Sequence, residues 1–107
     1  MNSLSSHVLD TAAGKPVPDL ALQLTTPDGK IIDAQTDNDG RCNQWSDVNF
    51  IAGQYQLRFY VENYLIEKHG ESFYPFVDVS FNLPEDGGHY HVPLLISPYG
   101  FSSYRGS

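Results

Sequence analysis

Gln54-Tyr55-Gln56-Leu57-Arg58-Phe59-Tyr60 decides the fold class. Tyr55, Leu57 and Phe59 fall on one face of an extended chain, and Gln54, Gln56 and Arg58 fall on the other. A period of two is that of a half-buried β-strand, whose successive side chains leave opposite faces. The same period recurs on both sides of this stretch. Leu20, Leu22 and Leu24 alternate with polar or small residues, and so do Val77, Val79 and Phe81. The spans 31–36, 5–11, 89–96 and 101–104 complete a set of short strand candidates.

Turn residues separate these strands at short intervals. Pro27-Asp28-Gly29 lies between two of them, where proline fixes φ and glycine accepts a positive φ, as in a hairpin. Asp37-Asn38-Asp39-Gly40 and Glu85-Asp86-Gly87-Gly88 are further turn clusters. Ser97-Pro98-Tyr99-Gly100 is short enough to join two antiparallel neighbours. One segment breaks the period: residues 61–70 place Val61, Tyr64, Leu65 and Lys68 on one helical face, with Lys68 and His69 late and Gly70 at the position that ends a helix. Many short strands, regular turns and one short helix predict an all-β sandwich or barrel.

The 107 residues fit one domain, 1–107, with enough chain to bury one core without staples. Six Lys+Arg against thirteen Asp+Glu give a net charge of −7, and the arginines are Arg41, Arg58 and Arg105. Nucleic acid and anionic membrane surfaces both call for a basic patch, so neither is expected as a partner. Cys42 is the sole cysteine, which removes any intrachain disulfide and favours the cytoplasm. The segment from Met1 to His7 lacks the basic and apolar regions of a secretory signal, and no apolar run approaches the roughly 18 residues of a membrane span.

The polar candidates each have a plain reading. His89 and His91 leave the same face of a strand and amount to half a zinc site, but spacing alone favours a residue opening the strand for His89 and a hydrogen-bonded core histidine for His91. His69 reads as a cation near a helix C-terminus. Ser6 and His7 point to opposite faces, so they make no nucleophilic pair, while Ser5 lies on the same face as His7. Cys42 reads as a small, partly buried residue. Arg41, directly after Asp39-Gly40, is either a solvated residue opening a strand or a rigidly held anion clamp. Tyr104-Arg105-Gly106-Ser107, by position, would ordinarily fray.

Three segments together resemble the 5-hydroxyisourate hydrolase family of transthyretin-like proteins. They are residues 4–16 (LSSHVLDTAAGKP), residues 36–41 (TDNDGR), and the stretch from His89-Tyr90-His91-Val92-Pro93-Leu94-Leu95 through Ser97-Pro98-Tyr99-Gly100 to Tyr104-Arg105-Gly106-Ser107. The resemblance implies a transthyretin-like (prealbumin-like) two-sheet β-sandwich of about eight strands with one short helix. It implies a homotetramer with active sites at the dimer–dimer interface. The activity implied is hydrolysis of 5-hydroxyisourate to 2-oxo-4-hydroxy-4-carboxy-5-ureidoimidazoline in urate degradation, with no cofactor and no metal. On the same resemblance His7, Arg41, His91 and Ser107 are catalytic. His7, Arg41, Tyr104, Arg105 and Gly106 bind the substrate. A histidine base suits water activation near neutral pH, and an arginine suits developing negative charge. A small-ligand carrier, a non-catalytic sandwich module and a zinc protein using His7, His89 and His91 are the competing readings.

Overall fold

In a computed structural model describing residues 2–85 and 87–106, the period-two segments are extended and pair into two sheets. In chain order the elements are β1 (Asn2–Asp10), β2 (Lys15–Pro16), β3 (Ala21–Thr25), β4 (Ile31–Gln35), β5 (Arg41–Cys42), β6 (Gly53–Phe59), α1 (Glu62–His69), β7 (Val77–Leu83), β8 (Gly88–Ser97) and β9 (Gly100–Ser103). One sheet runs β2-β1-β8-β9, with β5 also paired to β1; the other runs β4-β3-β6-β7. The all-β sandwich with one short helix is therefore present. The two-residue strands β2 and β5 carry no period and were not anticipated.

Between the sheets the apolar faces meet. Tyr55, Leu57 and Phe59 of β6, Leu22 and Leu24 of β3, and Val8, Leu94 and Ile96 of the facing sheet are almost fully buried. Truncating a fully buried leucine such as Leu57 to alanine costs about 2–5 kcal/mol, lost transfer energy plus a cavity. Pro27-Asp28-Gly29 makes the β3–β4 hairpin and residues 97–100 the β8–β9 hairpin, both antiparallel as expected. The clusters at 37–40 and 85–88 differ: each carries the chain from one sheet to the other, and Asp86 lies outside the described residues.

The helix lies at one end of the sandwich. Val61 and Leu65 are buried and Tyr64 half-buried, but Lys68 is exposed, because a helix of eight residues turns only a narrow stripe inward. Gly70 ends it at φ 85°, with its amide donating to the Ile66 carbonyl. His69 does more than sit at the helix end. Its Nε2 lies 2.7 Å from Asp10 Oδ2, the oxygen that also accepts from the Tyr64 hydroxyl. Asp10 Oδ1 accepts from the amides of Ala12 and Ala13. Burial alone would push this carboxyl up, but the hydrogen bonds from His69, Ala13 and Tyr64 outweigh it and hold the group below the ordinary aspartate value. The end of β1 is thereby tied to α1.

Candidate active site

β1 and β8 run parallel and in register, pairing Ser3 with His89, Ser5 with His91 and His7 with Pro93. Leu4, Ser6 and Val8 point into the core, so Ser3, Ser5 and His7 share the outer face with His89 and His91. On the other side of β1, β5 sets Arg41 opposite His7. Residues more than 80 positions apart, His7 and His91, come to a ring-centroid distance of 6.5 Å with their planes at 41°. His7, Arg41 and His91 are therefore on one face.

Arg41 is held by its turn. Asp37 Oδ1 accepts from the amides of Asp39 (2.9 Å) and Arg41 (3.0 Å), which hold its carboxyl below the ordinary range. Gly40 takes a φ of 75°, and a Cβ there would stand 2.7 Å from the Val8 carbonyl oxygen and 2.9 Å from Pro16 Cβ. Only glycine lets this turn press onto β1, where the Val8 amide donates to the Gly40 carbonyl at 2.8 Å. The Arg41 side chain is exposed, and among the described residues it has no ion pair. Arg41 thus opens a strand and is solvated, as the plain reading has it, while the turn holds its backbone as an anion clamp would require.

The two imidazoles differ in their partners. His7 Nε2 lies 2.8 Å from the carbonyl oxygen of Asp39. A carbonyl only accepts, so His7 carries a proton on Nε2, which leaves Nδ1 facing away from that bond. His91 Nδ1 lies 2.7 Å from Ser5 Oγ, which leaves Nε2 for a ligand. His91 is half-buried on the outer face, not in the core as its spacing suggested. Partial burial, then the charges of His7, Arg41 and His89, hold it below the ordinary histidine value and favour the neutral ring. His89 is in the opening of β8 as expected, but its ring is also engaged, with Nδ1 2.7 Å from Ser3 Oγ and Nε2 2.9 Å from Ser5 Oγ. Sequence reasoning assigned no role to Ser3 or Ser5; the signal present was their two-residue spacing on the His7 face.

The chain then returns to His91. Tyr104 falls just beyond β9, not within it, and is exposed. The Gly106 amide donates to the His91 carbonyl at 2.7 Å, forming an isolated antiparallel bridge. A Cβ on Gly106 would meet His91 Cδ2 at 2.5 Å, so the glycine is needed for close approach. The Arg105 guanidinium stands 4.8 Å from the centre of the Tyr90 ring. The tail through Gly106 is thus docked, not frayed. Ser107 lies outside the described residues.

Three features stand apart from this cluster. Arg58 is bonded through two nitrogens to Asp78, at 2.8 and 2.9 Å, on the outer face of the other sheet. A groove of about 890 Å³ runs between α1 and the β2–β3 region past Lys15, Pro18, Tyr60 and Tyr64. None of His7, Arg41 and His91 lines it. Among the described residues no three His, Cys, Asp or Glu side chains converge as a metal site. Cys42 is buried, and burial pushes its thiol up.

Comparison with known proteins gives a consistent set. Residues 4–106 match the HIUase/Transthyretin family. A 5-hydroxyisourate hydrolase of Mus musculus is 40% identical over 111 residues, covering 97% of this chain and 94% of that protein. One from Mesorhizobium japonicum is 42% identical over 114 residues, covering 97% and 91%. The solved structure of Klebsiella pneumoniae 5-hydroxyisourate hydrolase superimposes with a TM-score of 0.86 at 32% identity, over 100% of both chains.

Proposed function

The chain belongs to the HIUase/Transthyretin family, and from that premise we infer that it is a hydrolase that opens the ring of 5-hydroxyisourate. The observation that carries this reading is the convergence of His7, Arg41 and His91 on one face, with Gly106 laid against His91. A carrier or an inert sandwich module has no use for two hydrogen-bond-oriented imidazoles beside an arginine that has no ion pair among the described residues.

We assign the roles as follows. His91 stays neutral at working pH, and its free Nε2 takes a proton from water as the water oxygen bonds to a ring carbonyl carbon. Negative charge gathers on the carbonyl oxygen, where Arg41 supplies compensating charge. The C–N bond of the cyclic amide then breaks. The departing nitrogen takes a proton from protonated His7 at Nδ1, the nitrogen not tied to Asp39. No side-chain nucleophile is needed. We keep Tyr104, Arg105 and Gly106 as substrate-binding residues and, on the resemblance, Ser107 as a catalytic one.

We further propose that residues 1–107 act as one domain and assemble as a homotetramer, with the site completed by a second copy across the dimer–dimer interface. An open sheet face supports this, since His7 and His91 stand half-exposed on the outer side of β1 and β8. The described helix is too short to cross a membrane, and a lone buried thiol fits a cytoplasmic setting. Purified protein added to freshly generated 5-hydroxyisourate accelerates the loss of its ultraviolet absorbance over the spontaneous rate. Decay at the spontaneous rate refutes the assignment.

A further inference from the structure

Four side chains on the outer face form an unbroken hydrogen-bonded line: Ser3, His89, Ser5 and His91. Ser3 Oγ meets His89 Nδ1 at 2.7 Å, His89 Nε2 meets Ser5 Oγ at 2.9 Å, and Ser5 Oγ meets His91 Nδ1 at 2.7 Å. The line begins at exposed Ser3 and ends at half-buried His91. We propose that Ser5 and His89 are a proton relay that carries the proton gained by His91 out to solvent. The proposal rests on the assignment of His91 as base.

The donor count gives the line a direction. A serine hydroxyl has one proton to give, so Ser5 donates to only one of its two histidine neighbours. With His91 Nε2 unprotonated, His91 Nδ1–H donates to Ser5 Oγ, Ser5 donates to His89 Nε2, and His89 Nδ1–H donates to Ser3 Oγ. When Nε2 takes a proton from water, the Nδ1 proton of His91 passes to Ser5 Oγ. The Ser5 proton passes to His89 Nε2, and the His89 Nδ1 proton leaves by way of Ser3 or water. One O–H or N–H bond forms for each that breaks, and both imidazoles end neutral in the opposite tautomer. The transfer avoids a lasting imidazolium beside Arg41 and His7, whose charges already disfavour one. Return of a proton along the same line, as Nε2 passes its own proton to the depleted Nδ1 of His7, resets both histidines for the next turnover. The parallel β1–β8 register builds the line, because it sets each serine directly beside a histidine.

Three variants and an added base test this. Ser5→Ala lowers kcat about 10- to 100-fold with KM little changed, and Ser5→Thr, which keeps the hydroxyl, restores most of it. His89→Asn lowers kcat in dilute non-nucleophilic buffer, and added imidazole recovers it, as a purely structural loss does not. Circular dichroism confirms that each variant is folded. Wild-type kcat in Ser5→Ala, or a His89→Asn defect that imidazole leaves untouched, overturns the relay. His91→Asn separates the two readings. If it is inactive while Ser5→Ala is unimpaired, only the relay falls; if it turns over normally, the assignment of the base falls as well.

Discussion

On the outer face of the β4-β3-β6-β7 sheet the polar side chains close on one another. Arg58 grips Asp78 through two bonds and stacks over Phe76 at 3.9 Å, and Gln23 reaches Asp33. On the outer face of the β1–β8 sheet Ser3, Ser5 and His89 are also bonded together, but three groups beside them stay open. Among the described residues Arg41 has no ion pair, and His7 and His91 each present one ring nitrogen without a protein partner. Both faces come from the same strand alternation. The difference teaches how to tell a solvated surface from a site: paired charges spend their interactions on each other, whereas an oriented group held open is ready for a ligand.

The largest break in this contrast is at the base. His91→Asn keeps a polar side chain on β8 and is expected to lower kcat about 10²- to 10⁴-fold in the absorbance assay. Arg41→Ala follows, with a loss of about 10²- to 10³-fold in kcat/KM, while the matched substitution on the other face, Arg58→Ala, leaves turnover unchanged and only lowers the melting temperature slightly. Equal kinetic effects from the two arginines would erase the distinction between the faces. Gly106→Ala forces a methyl group into His91 Cδ2, so it displaces ring or tail and is expected to cost about 10- to 100-fold in kcat. The smallest effect is a titration shift. Partial burial and the nearby cationic groups favour neutral His91, so its NMR titration midpoint falls below the ordinary histidine value of 6.5. The base form therefore persists as pH falls through 6.5 and is lost only below it. A midpoint above 6.5 contradicts the electrostatics of the face.

Much of the fold was legible because burial imposes a period. The alternation in residues 54–60 named the inward face of β6 residue by residue, and the two short hairpins followed from glycine and proline chemistry. The strands β2 and β5 were not legible, since two residues carry no period; they form because the 37–40 turn and the 11–14 segment bring the chain back to β1. In the site, Arg41 stood out because a turn cluster precedes it. His91 was assigned to the core on spacing, and the parity of a strand cannot say which of its faces is covered. The partner of His91 was the least accessible feature. Ser5 is 86 residues away, and no local pattern reports a parallel pairing.

The sequence by itself determined the all-β class, the single helix, the scarcity of positive charge and, by resemblance, the two sheets and which residues to gather. The strand period and the helix follow from local propensity and from the need to hide apolar side chains, which act along the chain. Only the tertiary structure decided that β1 lies parallel to β8 in the one register that stacks Ser3 on His89 and Ser5 on His91, that Arg41 sits opposite His7, and that Gly106 closes on His91. Such pairings depend on backbone hydrogen bonds between distant strands, and a slip of one residue would turn every one of these side chains to the other face.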